Sequence, residues 1–287
     1  VKLGLSSYSL SRAIGAGEMN IADVINWIAE QGGQHVEIVP IGFELTGNPE
    51  LVEHIRKTAE AAGIEVSNYA IGAQFLQPTR EDFKRELERV KEQVDIAAAL
   101  GVKLMRHDVA SLPPAEATDE RFERDLPALV EACAIISEYA EQYGITTSVE
   151  NHGYYIQAHK RVQRLVAEVN RPNFRTTLDI GNFMCADENS VEAVRANIGI
   201  ASMVHIKDFY LRGKDRNPGE GWFRTSAGNY LRGAIAGHGD IDLYEVLRIV
   251  KSSGYDGYLS LEFEGMEDCR TGSRIGLANV ARIWNEV

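Results

Sequence analysis

The chain has 287 residues, 44% hydrophobic and 25% charged, the composition of a folded globular protein with room for one large domain or two small ones. Its net charge of −12 excludes broad electrostatic attraction to nucleic acid or anionic lipid, since both kinds of binding rest on phosphate neutralisation. No apolar run approaches membrane-spanning length.

The first stretch, "VKLGLSSYSLSRAIGAGEMN", lacks the long apolar core and cleavage site of a secretory leader, and "KLGLSSYS" (2–9) within it reads as a strand. In 19–32, Ile21, Val24, Ile25 and Ile28 recur at helical spacing. A strand is predicted at 35–39. A helix over 48–63 follows, opened by Asn-Pro and closed by Gly63, because proline suits the first turn and glycine accepts a left-handed cap. The rhythm continues with a strand at 64–71, a helix at 79–101, a strand at 102–109 and a helix at 119–144 that contains Pro127 as a candidate kink. Strands at 145–152, 174–182, 201–209 and 257–265 alternate with helices near 158–169, 189–198, 242–254 and 270–286. Cys133, Cys185 and Cys269 are odd in number and far apart, which points to free thiols in a reducing compartment, the cytoplasm.

Eight strand–helix units at even spacing, with no linker or composition break, predict a single-domain (β/α)8 TIM barrel. The competing doubly wound sheet would have fewer strands, and the glycine-rich GxGxxG turn after its first strand is absent. Barrel active sites lie where the strands end. The last four strands end on Glu150 ("SVENH"), Asp179 ("TLDIGN"), His205 ("MVHIKD") and Glu262 ("SLEFEG"). Any one such acid is more readily explained as a loop cap or ion-pair partner. Four on consecutive strands would place three carboxylates in mutual repulsion, which a divalent cation resolves. This oxygen-rich set with one imidazole suits Mn²⁺ first, then Mg²⁺ or Co²⁺, with Zn²⁺ also able to bind.

The segments "VEN", "LDIGN", "HIKDF" and "LEFEG", in that order on those strands, resemble the xylose isomerase-like TIM barrels, the group of sugar phosphate isomerases/epimerases and AP endonuclease family 2. The resemblance covers essentially the whole chain. It implies that Glu150, Asp179, His205 and Glu262 hold one metal ion, and that the substrate is a small sugar or keto-sugar. One departure is Asn182, at the place where several ketose epimerases and endonuclease IV relatives carry a histidine. Asparagine is a poor metal ligand but can hydrogen-bond a substrate oxygen, so a multi-metal cluster is not expected. With only seven histidines and an acidic balance, DNA cleavage is not expected either.

The implied chemistry is epimerisation or isomerisation. Glu150 and Glu262 act as base and acid on opposite faces of the reacting carbon, and the metal stabilises the enediolate. Lys207, two residues past His205 on the same strand face, either supports a substrate oxygen or makes a structural ion pair. His152, two past Glu150, is open to sugar hydroxyls or serves as an alternate base, with capping as the plainer role. Of the adjacent pair Arg106 and His107, His107 is expected to point inward. Glu37 and Asn68 are candidate polar rim residues, and Glu264 is expected to orient its neighbours.

The insertion at 210–239, with seven glycines, five Arg/Lys and the pair Trp222–Phe223, reads as a lid loop whose Trp222 stacks on a sugar ring. His238 is expected to close that loop onto the next helix. Two rival functions remain open at this stage. One is a lyase or dehydratase using the same site for β-elimination from a keto-sugar or keto-glycoside. The other is a sugar-binding subunit of a heteromeric complex. A homo-oligomer is compatible with all three.

Overall fold

A computed structural model describes residues 1–287. Eight parallel strands close a barrel: β1 (Lys2–Ser6), β2 (His35–Ile38), β3 (Glu65–Ile71), β4 (Leu104–His107), β5 (Thr146–Glu150), β6 (Phe174–Asp179), β7 (Ala201–Ile206) and, after an inserted sheet, β11 (Tyr258–Leu261), which pairs back onto β1. After a short first helix α1 (Ser11–Gly15), the outer helices are α2 (Ile21–Glu30), α3 (Pro49–Ala62), α4 (Arg80–Leu100), α5 (Asp119–Glu141), α6 (His159–Val169), α7 (Ser190–Asn197), α8 (Leu243–Ser252) and α9 (Cys269–Glu286). The barrel is therefore the (β/α)8 architecture that the alternating pattern predicts. None of the helices is long and apolar enough to cross a membrane.

The caps explain why the helices start and stop where they do. Asn20 and Asp23 form a reciprocal capping box at α2, Asn48 accepts from the Leu51 amide at α3, and Gly63 ends α3 in the left-handed region at φ 73°. Helix α5 runs unbroken through Pro127. All three cysteines are buried and unpaired.

The apolar core lies between strands and helices, in one cluster of 65 buried residues. Alternation along each strand sends Leu5, Val36, Met105, Val149, Leu178, Val204 and Leu261 outward into that cluster. The inward positions are small or polar instead of the branched aliphatics that commonly fill such a barrel: Ser6, His35, Ser148, Thr177 and Ser260 are all buried. Ser148 and Thr177 hydroxyls lie 2.8 Å apart, and His35 bonds the Leu259 carbonyl at 3.0 Å and the Ser67 hydroxyl at 2.8 Å. Gly4 makes room for that histidine, since a Cβ there would sit 2.7 Å from its ring.

The strand expected over 201–209 divides at Lys207. The barrel strand β7 ends at Ile206, and β8 (Asp208–Arg212) belongs to a separate antiparallel sheet with β9 (Phe223–Arg224) and β10 (Tyr230–Ala234), ordered β8-β10-β9. The segment 210–239, expected as a lid loop, thus carries parts of a three-stranded sheet joined by turns. Asp208 anchors it. The buried carboxylate accepts from the amides of Phe209, Gly237 and Gly239 at 2.9 Å each and from Ile241 at 3.3 Å. Gly239 must be glycine for this approach, because an added Cβ would fall 2.1 Å from Asp208 Oδ1. At the far end Asp187 accepts from Thr225 Oγ1, the Ala227 amide and Asn229 Nδ2, and Tyr154 donates to the Arg224 carbonyl at 2.7 Å. His238 lies on the exposed part of the turn that follows β10.

Replacing the Asp208 acceptor with a group that cannot accept four amides should free this sheet while leaving the barrel folded. Asp208→Ala is expected to lower stability on the order of 2–3 kcal/mol and to open 210–241 to limited proteolysis. Urea unfolding and cleavage-site mapping would check this, and wild-type resistance in the variant would contradict the anchoring role.

Candidate functional site

The register brings the four strand-end residues to one level. Asp179 pairs with His205 across β6–β7, Glu150 sits beside Thr177 across β5–β6, and the Glu262 amide donates to the Ile206 carbonyl at 2.9 Å. One donor atom from each of Glu150, Asp179, His205 and Glu262 lies within 4.8 Å of all the others, and all four residues are buried. From His205 Nδ1 the distances are 3.5 Å to Glu262 Oε1, 3.6 Å to Glu150 Oε1 and 3.9 Å to Asp179 Oδ2.

Each of these groups is held by further contacts. Arg106 lies 2.5 Å from Glu150 Oε2 and 3.0 Å from Asp108. Asn182 donates to Glu150 Oε1 at 3.0 Å and accepts from Lys207 at 3.3 Å. Lys207 Nζ lies 3.1 Å from Glu262 Oε2, 3.2 Å from Asp179 Oδ2 and 3.6 Å from Glu264. The other oxygen of Asp179 accepts the amides of Gly181 and Asn182 at 2.8 Å. Gly181 permits this, since a Cβ would meet the Lys207 stem at 3.0 Å.

The electrostatics follow from this crowding. Among the buried groups, the four carboxylates of Glu37, Glu150, Asp179 and Glu262 face two permanent cations, Arg106 and Lys207. Burial pushes Asp179 up to about 6, Lys207 acting against the shift and Glu150 and Glu262 adding to it. Burial works against charge on Glu150 too, but the Arg106 guanidinium overrides it and keeps that carboxyl well below the usual range. His205 goes the other way: despite burial, Glu37 and Glu262 raise its pKa well above the ordinary value.

The donor set fits a divalent cation. Nδ1 of His205 is buried without a hydrogen-bond partner, and Oδ2 of Asp179 has only the Lys207 ammonium at 3.2 Å. With the imidazole neutral, the buried set carries two net negative charges, to which Asp108 and Glu264 on the cavity wall add, so a divalent ion would find compensating charge there. A spread of 4.8 Å also agrees with the roughly 4–5 Å between opposite ligands of an oxygen-bound Mg²⁺ or Ca²⁺. The glutamates, Asn182, Lys207 and His205 open onto a cavity of about 900 Å³.

Of the other residues expected at the site, His152 lines the cavity, half exposed, with Nδ1 3.3 Å from Asp108. His107 does not reach it. Across β4–β5 Arg106 pairs with inward Ser148 and His107 with outward Val149, so His107 packs fully buried between Phe75 and Phe174 while Arg106 turns inward. The expectation for that pair is therefore reversed. Trp222 does not line the cavity: it stacks against Arg212 and Arg232, each with its guanidinium 5.5 Å from the ring centre, and its neighbour Phe223 faces the space instead. Glu37 and Asn68 are fully buried beneath the site and not on its rim. Glu264 lines the cavity beside Lys207 and accepts from the Tyr8 hydroxyl at 3.3 Å. Tyr8, Asp108 and Gln157 are cavity residues that sequence reasoning missed. Asp108 carried the one available signal, being two positions past the inward Arg106.

The xylose isomerase-like TIM barrel family matches residues 25–282. The chain belongs to that family. The chain is 28% identical over 168 residues to an inosose dehydratase of Bacillus licheniformis, covering 58% of this chain and 53% of that protein. The match thus spans about half the length of that curated relative. Among solved structures, a probable 3-DHS dehydratase from Bacillus anthracis superposes with a TM-score of 0.77 at 15% identity, covering 98% of this chain and 99% of the other. A D-psicose 3-epimerase from Clostridium cellulolyticum H10 gives a TM-score of 0.76 at 15% identity, covering 99% of both chains. These two likenesses establish the shared barrel.

Adding Mn²⁺ to protein stripped with a chelator should raise the unfolding free energy, by about 2.7 kcal/mol at an ion concentration near 100 times Kd. Thermal melts with and without Mn²⁺ would measure it. Asp179→Asn should remove most of the gain, whereas an equal gain in that variant would place the ion elsewhere.

Proposed function

We propose that this protein is a divalent-metal-dependent enzyme that moves a proton at a carbon beside a carbonyl in a keto-sugar, as an epimerase or isomerase. The observation that carries the reading is the placement of Glu150 and Glu262 at 3.6 and 3.5 Å from the same imidazole nitrogen, both open to the cavity. A cation held by Glu150, Asp179, His205 and Glu262 would act as a Lewis acid toward the carbonyl and its neighbouring hydroxyl.

The chain's own groups do the rest. One glutamate takes the proton from carbon, and the other returns a proton to the opposite face. Each turnover therefore leaves the pair with its protonation exchanged. The donors around the two glutamates differ. Arg106 and Asn182 already occupy both oxygens of Glu150, whereas Glu262 is backed by Lys207 on one oxygen only. Lys207 also carries positive charge to where the enediolate oxygen would develop. The inserted sheet is assigned as the cover of the substrate, with Phe223 on its inner side.

A second reading is favoured by the Asp108–His152 pair on the cavity wall and by the inosose dehydratase among the relatives. Burial works to lower the His152 pKa, but the Asp108 carboxylate raises it, so the imidazolium is available as an acid. In that reading a glutamate removes the α-proton, His152 protonates the β-hydroxyl, and water leaves as the new double bond forms.

Incubating Mn²⁺-loaded protein in D₂O with a panel of ketoses and cyclic keto-polyols separates these outcomes. Carbon-bound deuterium without loss of mass supports epimerisation, and release of water with a conjugated enone supports elimination. Glu262→Gln should lower kcat by roughly 10²- to 10⁴-fold while the fold persists. If the loaded wild-type protein neither exchanges carbon-bound hydrogen nor releases water from any of these ketones, the reading fails.

A further inference from the structure

Beneath the metal-fitting set lies a buried carboxylate that the proton-transfer chemistry does not use. Glu37 is fully buried, and its Oε2 accepts from His205 Nε2 at 2.8 Å and from Asn68 Nδ2 at 2.7 Å. A register shift brings these groups together. His35 pairs with Glu65 and Val36 with Val66, yet Glu37 pairs with Asn68, so one residue of β3 is skipped. Below the shift the inward partner of β2 is Ser67, which bonds His35 at 2.8 Å. Above it the inward face of β3 switches to Asn68 and Ala70, and Ala70 lines the cavity. Without that bulge Asn68 would point to the helices and Glu37 would have a serine beside it.

The consequence falls on the imidazole. A histidine with Nε2–H donated to a carboxylate keeps Nδ1 as the free lone pair, and Nδ1 is the atom facing Glu150, Asp179 and Glu262. Glu37 and Asn68 make no contact with the substrate cavity, so their place in the fold is explained by what they do to His205.

We propose that Glu37, itself oriented by Asn68, is a positioning residue. It fixes His205 in the Nε2–H tautomer and in the ring orientation that presents Nδ1 to a divalent cation. The inference rests on the metal reading of the site. Partners of this kind commonly change metal affinity 10- to 100-fold, because they hold the ring and raise the basicity of the ligating nitrogen.

Isothermal titration of chelator-treated protein with Mn²⁺, at one pH, provides the first test. Wild-type protein should bind one ion. Glu37→Gln, which keeps the side-chain shape, should bind it about 10- to 100-fold more weakly with an unchanged circular dichroism spectrum. The second test needs no variant: nitrogen NMR of the imidazoles in wild-type protein loaded with diamagnetic Zn²⁺ should show His205 protonated at Nε2 and metal-bound at Nδ1. Affinity in Glu37→Gln within twofold of wild type, or a Zn²⁺-bound Nε2 in the wild type, would overturn the inference while leaving the metal site standing. Absence of Mn²⁺ binding by the wild type would overturn the site and this inference together.

Discussion

Burial of like charge is the constraint on which this molecule turns. Four carboxylates lie buried in the upper half of a closed barrel, two of them at the floor of the cavity, against one guanidinium and one ammonium. Leaving any of them unpaired would cost several kcal/mol, a large fraction of a domain's net stability of about 5–15 kcal/mol. The surrounding design responds at every level. Arg106 and Lys207 are threaded between the acids, backbone amides of Gly181 and Asn182 serve Asp179, and Asn182 and Asn68 supply neutral donors. What remains among these six groups is a deficit of two charges beside the unpartnered Nδ1 of His205, which a proton on His205 offsets in part and a divalent ion offsets in full.

The fold makes this arrangement possible by separating its two solvents. Apolar side chains go outward between strands and helices, where burial stabilises the domain, and the barrel interior is left to hydroxyls, amides and charges that satisfy one another. Strand ends then become the only places where several inward side chains can meet a cavity. The inserted sheet exploits the same opening. Asp208, next in the chain to Lys207, gathers four amides, so a single dipeptide ties the cavity mouth to the inserted sheet.

Much of this was legible in the sequence. Glu150, Asp179, His205 and Glu262 stood out because polar residues at the ends of apolar strands in a barrel have one common destination, and the bounds of the 48–63 helix followed from Asn48 and Gly63. The misreadings share a cause. Alternation says that two neighbours face opposite ways, but it takes the pairing with an adjacent strand to say which, so Arg106 and His107 were assigned in reverse. A bulge between β2 and β3 is invisible to pattern counting, and it turned Glu37 and Asn68 from supposed rim residues into interior ones. The glycines of 210–239 suggested a loop, although Gly233 lies in β10, where a Cβ would fall 2.5 Å from the Glu264 carbonyl oxygen, and Gly239 in the following turn makes room for Asp208. Trp222 was the aromatic expected to meet a sugar, yet Phe223, paired with Leu231 of β10, is the ring that lines the cavity.

The claim that joins these parts is that the buried acids exist to hold one cation through His205 Nδ1. Anomalous diffraction from crystals grown with Mn²⁺ addresses it directly, because the ion's own scattering locates it independently of the protein atoms. The account predicts a single strong peak, bonded to carboxylate oxygens of Glu150, Asp179 and Glu262 and to Nδ1 of His205. A map with no peak there, or with the ion on other residues while these four remain paired only to Arg106 and Lys207, would contradict it.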